Sequence, residues 1–436
     1  MHSKKIKTMK IFFILTLSTF LSASQNIDLI KKENQDSNTT LLVIGGIHGD
    51  EPGGYFAASI LSSYYTIKSN NLWIIPNLNK KSIQSNRRGI HGDMNRKFSV
   101  IKKNDKDKEI VQEIKEIILS KKVSLVLNLH DGHGFYRKAN DGKIFNPNAW
   151  GQTCVIDQCN LDINQPFGNL NEIANRVKKN INKTLLQKHH SFSVKNTKTK
   201  FDDEAMKHSL TYFSVTNNKP AFAIESSKNL SSLAQKVFYQ LLAIEEFMKI
   251  MNITYSKDFT LNEFEIDKIL RKYGELKINN NILLKLDGIK KSLSYIPIKS
   301  KDNSFEFSHP LGSVKKSGSN YKVYIGNNKI LNLKAQYFKL SQQCKDSYQV
   351  DIDNSISTVA KASEFFVKES FSVLEDKKYR VNVIGYKSKK SSSETDVKID
   401  INSLDKRFSV DKEGKVYRVE FYKNEDFCTT MMVHFK

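Results

Sequence analysis

Leu41-Leu42-Val43-Ile44 is an unbroken apolar run that stops at two glycines, and His48 and Glu51 follow at once in Gly45-Gly46-Ile47-His48-Gly49-Asp50-Glu51-Pro52-Gly53-Gly54. A short, continuous apolar run bounded by glycine suits a strand buried on both faces. Such a strand delivers the next polar side chains to the carboxyl edge of its sheet, where open α/β sheets place their ligands. An imidazole and a carboxylate three positions apart are suitable ligands for Zn²⁺. A four-residue pattern recurs by chance in many surface loops, so its meaning depends on what the rest of the chain brings to the same edge.

The chain repeats this design. Gly53 to Tyr65 reads as a helix, and Leu72-Trp73-Ile74-Ile75 as a second strand running into the turn Pro76-Asn77-Leu78-Asn79. Residues 80–98 lack periodicity and carry Arg87, Arg88 and Asp93-Met94-Asn95-Arg96, which suits a long functional loop. Ile110, Val111, Ile114, Ile117 and Ile118 lie at helical spacing within Asp105–Ser120. Val123 to His130 is a nearly continuous apolar strand ending in a histidine, and Ala221-Phe222-Ala223-Ile224-Glu225 is another ending in a carboxylate. A basic helix over Asn171–Lys188 and a long amphipathic helix over Leu230–Met251 complete the pattern. Strands alternating with helices predict an α/β domain with a mixed, mostly parallel sheet flanked by helices.

Beyond residue 252 the texture changes to short strand-like runs with Gly and Asn turns, such as Tyr321-Lys322-Val323-Tyr324-Ile325 before Gly326-Asn327-Asn328. From residue 342 alternating strands such as Tyr379–Ile384 and Val416–Tyr422 recur at the spacing of a sandwich. The expected organisation is therefore an α/β domain over 25–252, a small β-rich domain over 253–341 and an immunoglobulin-like β-sandwich over 342–436, with Lys387–Ser393 as a polar loop tip. The sandwich lacks the Cys-Trp-Cys pattern of true immunoglobulin domains. With 436 residues, the chain is long enough for about two to four domains.

The amino terminus sets the compartment. Lys4, Lys5, Lys7 and Lys10 precede the apolar run Ile11–Leu17, and Leu21-Ser22-Ala23-Ser24 supplies small residues. This is the pattern of a secretory signal peptide over 1–24, with an apolar core too short to span a bilayer. It predicts an exported, periplasmic protein. In that setting four cysteines are candidates for disulfides. The economical pairing is Cys154 with Cys159 and Cys344 with Cys428, and no CxxC doublet offers a cysteine–zinc site. The net charge of +23, from 69 basic and 46 acidic residues, is spread along the chain. No nucleic-acid-binding motif accompanies it, so nucleic acid is not an expected partner.

Four groups now stand at strand ends: His48 with Glu51, His130, and Glu225. A catalytic zinc needs three protein ligands and one open position, which His48, Glu51 and His130 would supply, leaving Glu225 as general base. Arg88, Asn95 and Arg96 could clamp a carboxylate or stabilise an oxyanion. This order of residues resembles the zinc metallocarboxypeptidase family over about residues 38–252. The resemblance implies one Zn²⁺ per chain on His48, Glu51 and His130, with His133 competing as third ligand. It makes Asn95-Arg96 a carboxylate-binding pair, Arg88 (or the adjacent Arg87) the group that polarises the scissile carbonyl, and Glu225 the catalytic glutamate.

The runs Ile44–Gly54 and Leu127-Asn128-Leu129-His130-Asp131-Gly132-His133-Gly134, with two β domains behind them, look like the exported peptidoglycan DL-carboxypeptidases that set helical cell shape in curved Gram-negative bacteria. That likeness implies trimming of murein tripeptide stems to dipeptides with release of meso-diaminopimelate. It makes Trp150 a candidate pocket wall, and the β domains candidate sites for glycan or for other wall or shape proteins. Some members of that group carry glutamine where this chain keeps His48. The tyrosine that digestive-type enzymes place over the substrate has no assignable position, Tyr212 being only near Glu225 in sequence. A non-catalytic wall-binding scaffold and a zinc deacylase of small N-acyl amino acids are the alternatives. The first has no need of ligands, base and arginines together, and the second does not explain an export signal or a β-sandwich.

Overall fold

The computed structural model describes residues 27–34, 37–161, 165–387 and 392–436. The expected signal peptide and most of the polar tip at Lys387–Ser393 lie outside the described residues. Among the described residues no helix is long and apolar enough to cross a membrane.

The amino-terminal unit is built on seven strands: β1 (Ile30–Lys32), β2 (Thr40–Ile44), β3 (Asn71–Ile75), β4 (Val123–Gly132), β5 (Thr153–Ile156), β6 (Ser193–Asn196) and β7 (Ala221–Ser227). Their order in the sheet is β1-β3-β2-β4-β7-β5-β6. The four central strands β3, β2, β4 and β7 run parallel, whereas β1 and β5 pair antiparallel. Every residue of β2 and β3 is buried, which is why both read as continuous apolar runs rather than alternating ones. The chain leaves β2 for β3 on one side and returns to β4 on the other, so the carboxyl end of β2 is a switch point with room for a ligand.

Six helices cover the sheet and its flank: α1 (Pro52–Tyr64), α2 (Lys108–Leu119), α3 (Leu170–Ile181), α4 (Leu210–Thr216), α5 (Leu233–Ile250) and α6 (Glu263–Leu270). Helix α1 packs on α5, α5 on β7 and α6, and α3 on α5, whereas α2 and α4 pack separately on β4. Thus α1 and α5 share one face of the sheet, and α2 and α4 lie on the other. Pro52 starts α1 at the position where its missing N–H costs nothing. Ser232 caps α5 by accepting from the Gln235 amide.

Two local expectations change. The basic helix over 171–188 stops at Ile181, because the Asn182 side chain pairs with both backbone polar groups of Phe192 (2.7 and 3.0 Å) and so holds the chain in a return towards β6. The 80–98 loop contains a short helix, Lys80–Gln84, and a 3₁₀ turn, Met94–Arg96, capped by Asn79 and Asp93. Both caps are side-chain acceptors within otherwise aperiodic sequence, which periodicity alone does not detect.

Behind this unit come a three-stranded sheet, with strands Glu275–Ile278, Ile282–Lys285 and Phe305–Phe307, and a four-stranded one. Their buried side chains, among them Leu276, Val323 and Leu333, belong to one hydrophobic cluster with those of the α/β sheet. The last segment is an immunoglobulin-like sandwich of two four-stranded sheets. Its own core includes Val350, Val381, Phe421 and Val433. Arg418 ties the two β regions together by donating to the Tyr295 and Ser294 carbonyls (both 2.9 Å), with Glu420 at 3.1 Å.

Cys344 and Cys428 are joined in a disulfide. The expected Cys154–Cys159 bond is not formed, and both cysteines are free. Cys154 lies within β5 with its thiol in the core, whereas Cys159 sits in the exposed turn beyond the strand end. A disulfide needs the two thiols directed at one another, whereas here one is turned into the core and the other is exposed.

Candidate active site

The loop leaving β2 is forced inward by close packing. A Cβ on Gly49 would meet the Ser82 carbonyl carbon at 2.0 Å, so only glycine lets this loop lie against the short helix Lys80–Gln84. The Gly49 amide then donates to the Arg87 carbonyl (3.0 Å), bringing the two loops of the site together. At the start of α1 the Gly53 amide donates to Asp131 Oδ2 (2.8 Å), which anchors the helix beside His130. Glu51, the residue before Pro52, is thereby held at the end of β4.

The three expected ligands converge. His48 Nδ1 lies 3.0 Å from Glu51 Oε1, His130 Nδ1 lies 2.9 Å from Glu51 Oε2, and the two imidazole nitrogens are 3.2 Å apart. All three side chains are buried, with one ligand atom from each within 4.8 Å of the others. His48 Nε2 sits 2.8 Å from Asp93 Oδ1. A carboxylate can only accept, so this contact fixes the Nε2–H tautomer and aims the Nδ1 lone pair into the cluster. Two imidazoles and a carboxylate converging on one point, with a further carboxylate behind a histidine, fit a divalent metal.

The electrostatics point the same way. Burial alone would lower the His48 pKa, but Glu51 and Asp93 overcome it and raise it to about 9. Burial pushes Glu51 up, yet His48 and His130 hold it well below the usual carboxylate range. His130 is lowered by its burial. The acidic groups thus create a position that favours positive charge. Glu225 behaves oppositely: burial, reinforced by the Glu51 charge, raises its pKa well above an ordinary glutamate's.

These groups open onto one cavity of about 270 Å³, which Glu225, Arg88, Asn95, Arg96, His133 and Trp150 also line. Strand register sets Glu225 directly beside His130 across β7 and β4. His133 is exposed on the cavity wall, outside the three-residue cluster. Arg88 donates from Nη1 to Glu51 Oε1 (3.1 Å) and from Nε to Asp93 Oδ2 (2.8 Å), whereas Arg87 is exposed and does not line the cavity. Asn95 Oδ1 accepts from the Leu210 amide at the start of α4 (2.9 Å), leaving its amide N–H groups as the polar end free for a ligand. Trp150 is backed by Lys195, whose Nζ stands 4.3 Å from the ring centroid and donates to the Ala149 carbonyl (3.0 Å). Tyr212, in α4, is half-buried against the hydrophobic core and does not line the cavity.

Sequence reading gives no role to Asp93 or Lys228, and the structure places both at the site. Asp93 joins His48, Arg88 and the Asn95 amide (2.9 Å) through one carboxylate. Its position two residues before Asn95 was the available clue. Lys228 lines the cavity beyond Glu225 and pairs with Asp50 (2.9 Å). Nothing in its local sequence distinguishes it from the other lysines.

A mostly parallel sheet carrying a His-Glu-His cluster at its switch point, an opposing glutamate and nearby arginines defines the metallo-carboxypeptidase class. The comparisons name the family. A family model for the catalytic domain of a carboxypeptidase controlling helical cell shape matches residues 4–271. A second, for the C-terminal domain of a metallo-carboxypeptidase, matches residues 341–436. The chain belongs to this family of carboxypeptidases.

Among solved structures it is similar to the cell shape determinant protein Csd4 from Helicobacter pylori. The apo form is 32% identical, matches over 94% of this chain and 100% of that one, and has a TM-score of 0.89. The tripeptide-bound form has 32% identity, the same coverage and a TM-score of 0.88. The mDAP-bound form, described as a D,L-carboxypeptidase, is 32% identical over 93% of this chain and 100% of that one, with a TM-score of 0.88. No curated protein sequence matches the chain.

Proposed function

We propose that this carboxypeptidase is zinc-dependent, is exported to the periplasm, and trims peptidoglycan tripeptide stems to dipeptides by removing the terminal meso-diaminopimelate. The observation that carries the reading is the convergence of His48, Glu51 and His130 within 4.8 Å, with Glu225 beside His130 in the same cavity. The tripeptide and mDAP bound to the similar Csd4 supply the substrate class. In this reading residues 25–252 are the catalytic unit, and 253–341 and 342–436 are β-rich units that contact glycan or wall proteins.

His48 Nδ1, His130 Nδ1 and the Glu51 carboxylate would hold the ion. Bound zinc supplies a Lewis acid that acidifies water and polarises a carbonyl. The Glu225 carboxylate takes a proton from the attacking water and delivers it to the departing amine nitrogen. Burial raises its pKa above an ordinary glutamate's, the direction that makes a carboxylate a stronger base. The Arg88 guanidinium stabilises the negative charge that develops on the scissile oxygen. Asn95 and Arg96 hold the free carboxylate of the residue that leaves, and Trp150 walls its pocket. Asp93 keeps His48 and Arg88 in place.

The test is mass spectrometry of purified muropeptides after incubation with the protein. The expected result is zinc-dependent conversion of tripeptide to dipeptide stems, abolished by a chelator and by Glu225→Ala. Binding to sacculi with an unchanged muropeptide profile, or equal activity in Glu225→Ala, would refute it.

A further inference from the structure

The cavity has two cationic walls, and the mechanism above uses only one. Asn95, next to Arg96, is tied through Leu210 to α4, on the α2/α4 face of the sheet. Asp50 and Lys228 precede α1 and α5, on the other face. The Lys228 ammonium lies 2.9 Å from Asp50 Oδ2 and 3.9 Å from Glu51 Oε1. Its backbone is fixed where its amide donates to the Gly132 carbonyl (2.7 Å). The Lys228 side chain is about one-third exposed, 34%, and lines the cavity.

The scissile bond of a stem peptide has an uncommon neighbour. D-Glutamate in such a stem is joined to the next residue through its γ-carboxyl, so its α-carboxylate remains free on the acyl side of the bond. Four C–C bonds separate that carboxylate carbon from the scissile carbonyl carbon, a reach of roughly 5 Å when extended. With the leaving residue's carboxylate on Asn95-Arg96, the acyl side must run across the metal cluster towards the opposite wall. The cavity-lining cation beside Glu51 that the mechanism leaves unused is Lys228. The pair it makes with Asp50 is partly solvated and therefore weak. A second carboxylate can join the ammonium, which has three donors, without displacing a strong contact.

We propose that Lys228 is a specificity-determining residue that binds the free α-carboxylate of the γ-linked glutamyl residue on the acyl side of the cleaved bond. This deepens the proposed function and rests on it. A peptide with no acidic group on the acyl-side residue presents no carboxylate at that point, so Lys228 selects for substrates that carry one four bonds from the scissile carbonyl carbon. Asp50 holds the ammonium in position before the substrate arrives.

The test compares L-alanyl-γ-D-glutamyl-meso-diaminopimelate with the same tripeptide carrying an α-carboxamide on the glutamyl residue. For the wild-type protein kcat/KM should favour the free acid by about tenfold to a hundredfold, mostly through KM, as for loss of one hydrogen bond to a charged group. Lys228→Met should bring the ratio close to one, and Lys228→Arg should keep most of the preference. A wild-type ratio near one would overturn the proposal without help from any variant. So would a Lys228→Met enzyme that loses the same factor on both substrates, since that pattern marks a merely structural lysine. Failure of the wild type to cleave either compound would overturn the carboxypeptidase reading itself, and the subsite with it.

Discussion

Asp93→Asn is the sharpest probe of how the site is held together. One carboxylate accepts from His48 Nε2 (2.8 Å), Arg88 Nε (2.8 Å) and the Asn95 amide (2.9 Å). Two of these use Oδ1 and one uses Oδ2. Asparagine keeps one oxygen and replaces the other with an NH₂ group, which has two N–H donors and no acceptor. If the oxygen stays with His48 and Asn95, the new NH₂ confronts the Arg88 guanidinium; if the amide turns, it confronts the His48 N–H. Either way at least one charge-assisted hydrogen bond becomes a donor–donor contact, and the turned amide also confronts the Asn95 backbone N–H.

Loss of such a bond costs about 1.5–3 kcal/mol, or roughly tenfold to 150-fold in the affected equilibrium. Second-layer partners of metal-bound histidines give ~10–100-fold effects of the same kind. The prediction is a fall of that size in kcat/KM on the stem tripeptide, together with weaker zinc retention in a chelator competition. Asp93→Asn with wild-type zinc affinity and kcat/KM within twofold would refute the view that Asp93 positions His48 and Arg88.

Three further outcomes follow from other parts of the molecule. Reducing the Cys344–Cys428 bond, which closes a separation of 84 residues, should destabilise the carboxy-terminal sandwich by about 2–5 kcal/mol, seen as a lower unfolding temperature in reductant that Cys344→Ser/Cys428→Ser reproduces without it. Asp157 is buried with threonine hydroxyls around its carboxyl, and burial, with a smaller push from Asp203, raises its pKa from 3.8 to about 6. Because the folded value is the higher one, its stabilising contribution is complete below about pH 4 and is lost as pH rises through 6; the stability difference between wild type and Asp157→Asn should therefore shift by about 2–3 kcal/mol between pH 4 and 7.5 in urea unfolding, and a constant difference would contradict this. Arg418→Met should leave Glu420 buried without its guanidinium, with only the Tyr422 hydroxyl still hydrogen-bonded to it among the described residues, and remove the links to Ser294 and Tyr295; a loss of about 3–5 kcal/mol is expected in denaturant unfolding.

The strand-end residues were legible because their signal is local. An apolar run buried on both faces has to end where the sheet ends, and whatever polar residue comes next stands at the carboxyl edge. That logic placed His48, Glu51, His130 and Glu225 before any contact was known, and parallel pairing of β2, β4 and β7 brings them into one cavity. The alternating strands of the carboxy-terminal sandwich were readable on the same kind of grounds, whereas the Cys344–Cys428 bond was only the economical choice among the three connectivities that four cysteines allow.

Other features are properties of the folded chain alone. Cys154 and Cys159 are close in sequence yet remain unpaired, because β5 buries one thiol and the following turn exposes the other. Asp93 acquires His48 as a partner only when the loop after β3 is pressed against the loop after β2 at Gly49. Lys228 becomes distinct from its fellow lysines only where the ends of β2 and β7 bring it to Asp50 and the cavity. The small β sheets share their core with the α/β unit, although the sequence texture changes sharply between them. Periodicity reports how one segment meets its nearest layer. Which loops meet, and which charges then share a cavity, depends on packing between segments far apart in the chain, and that only the tertiary structure decides.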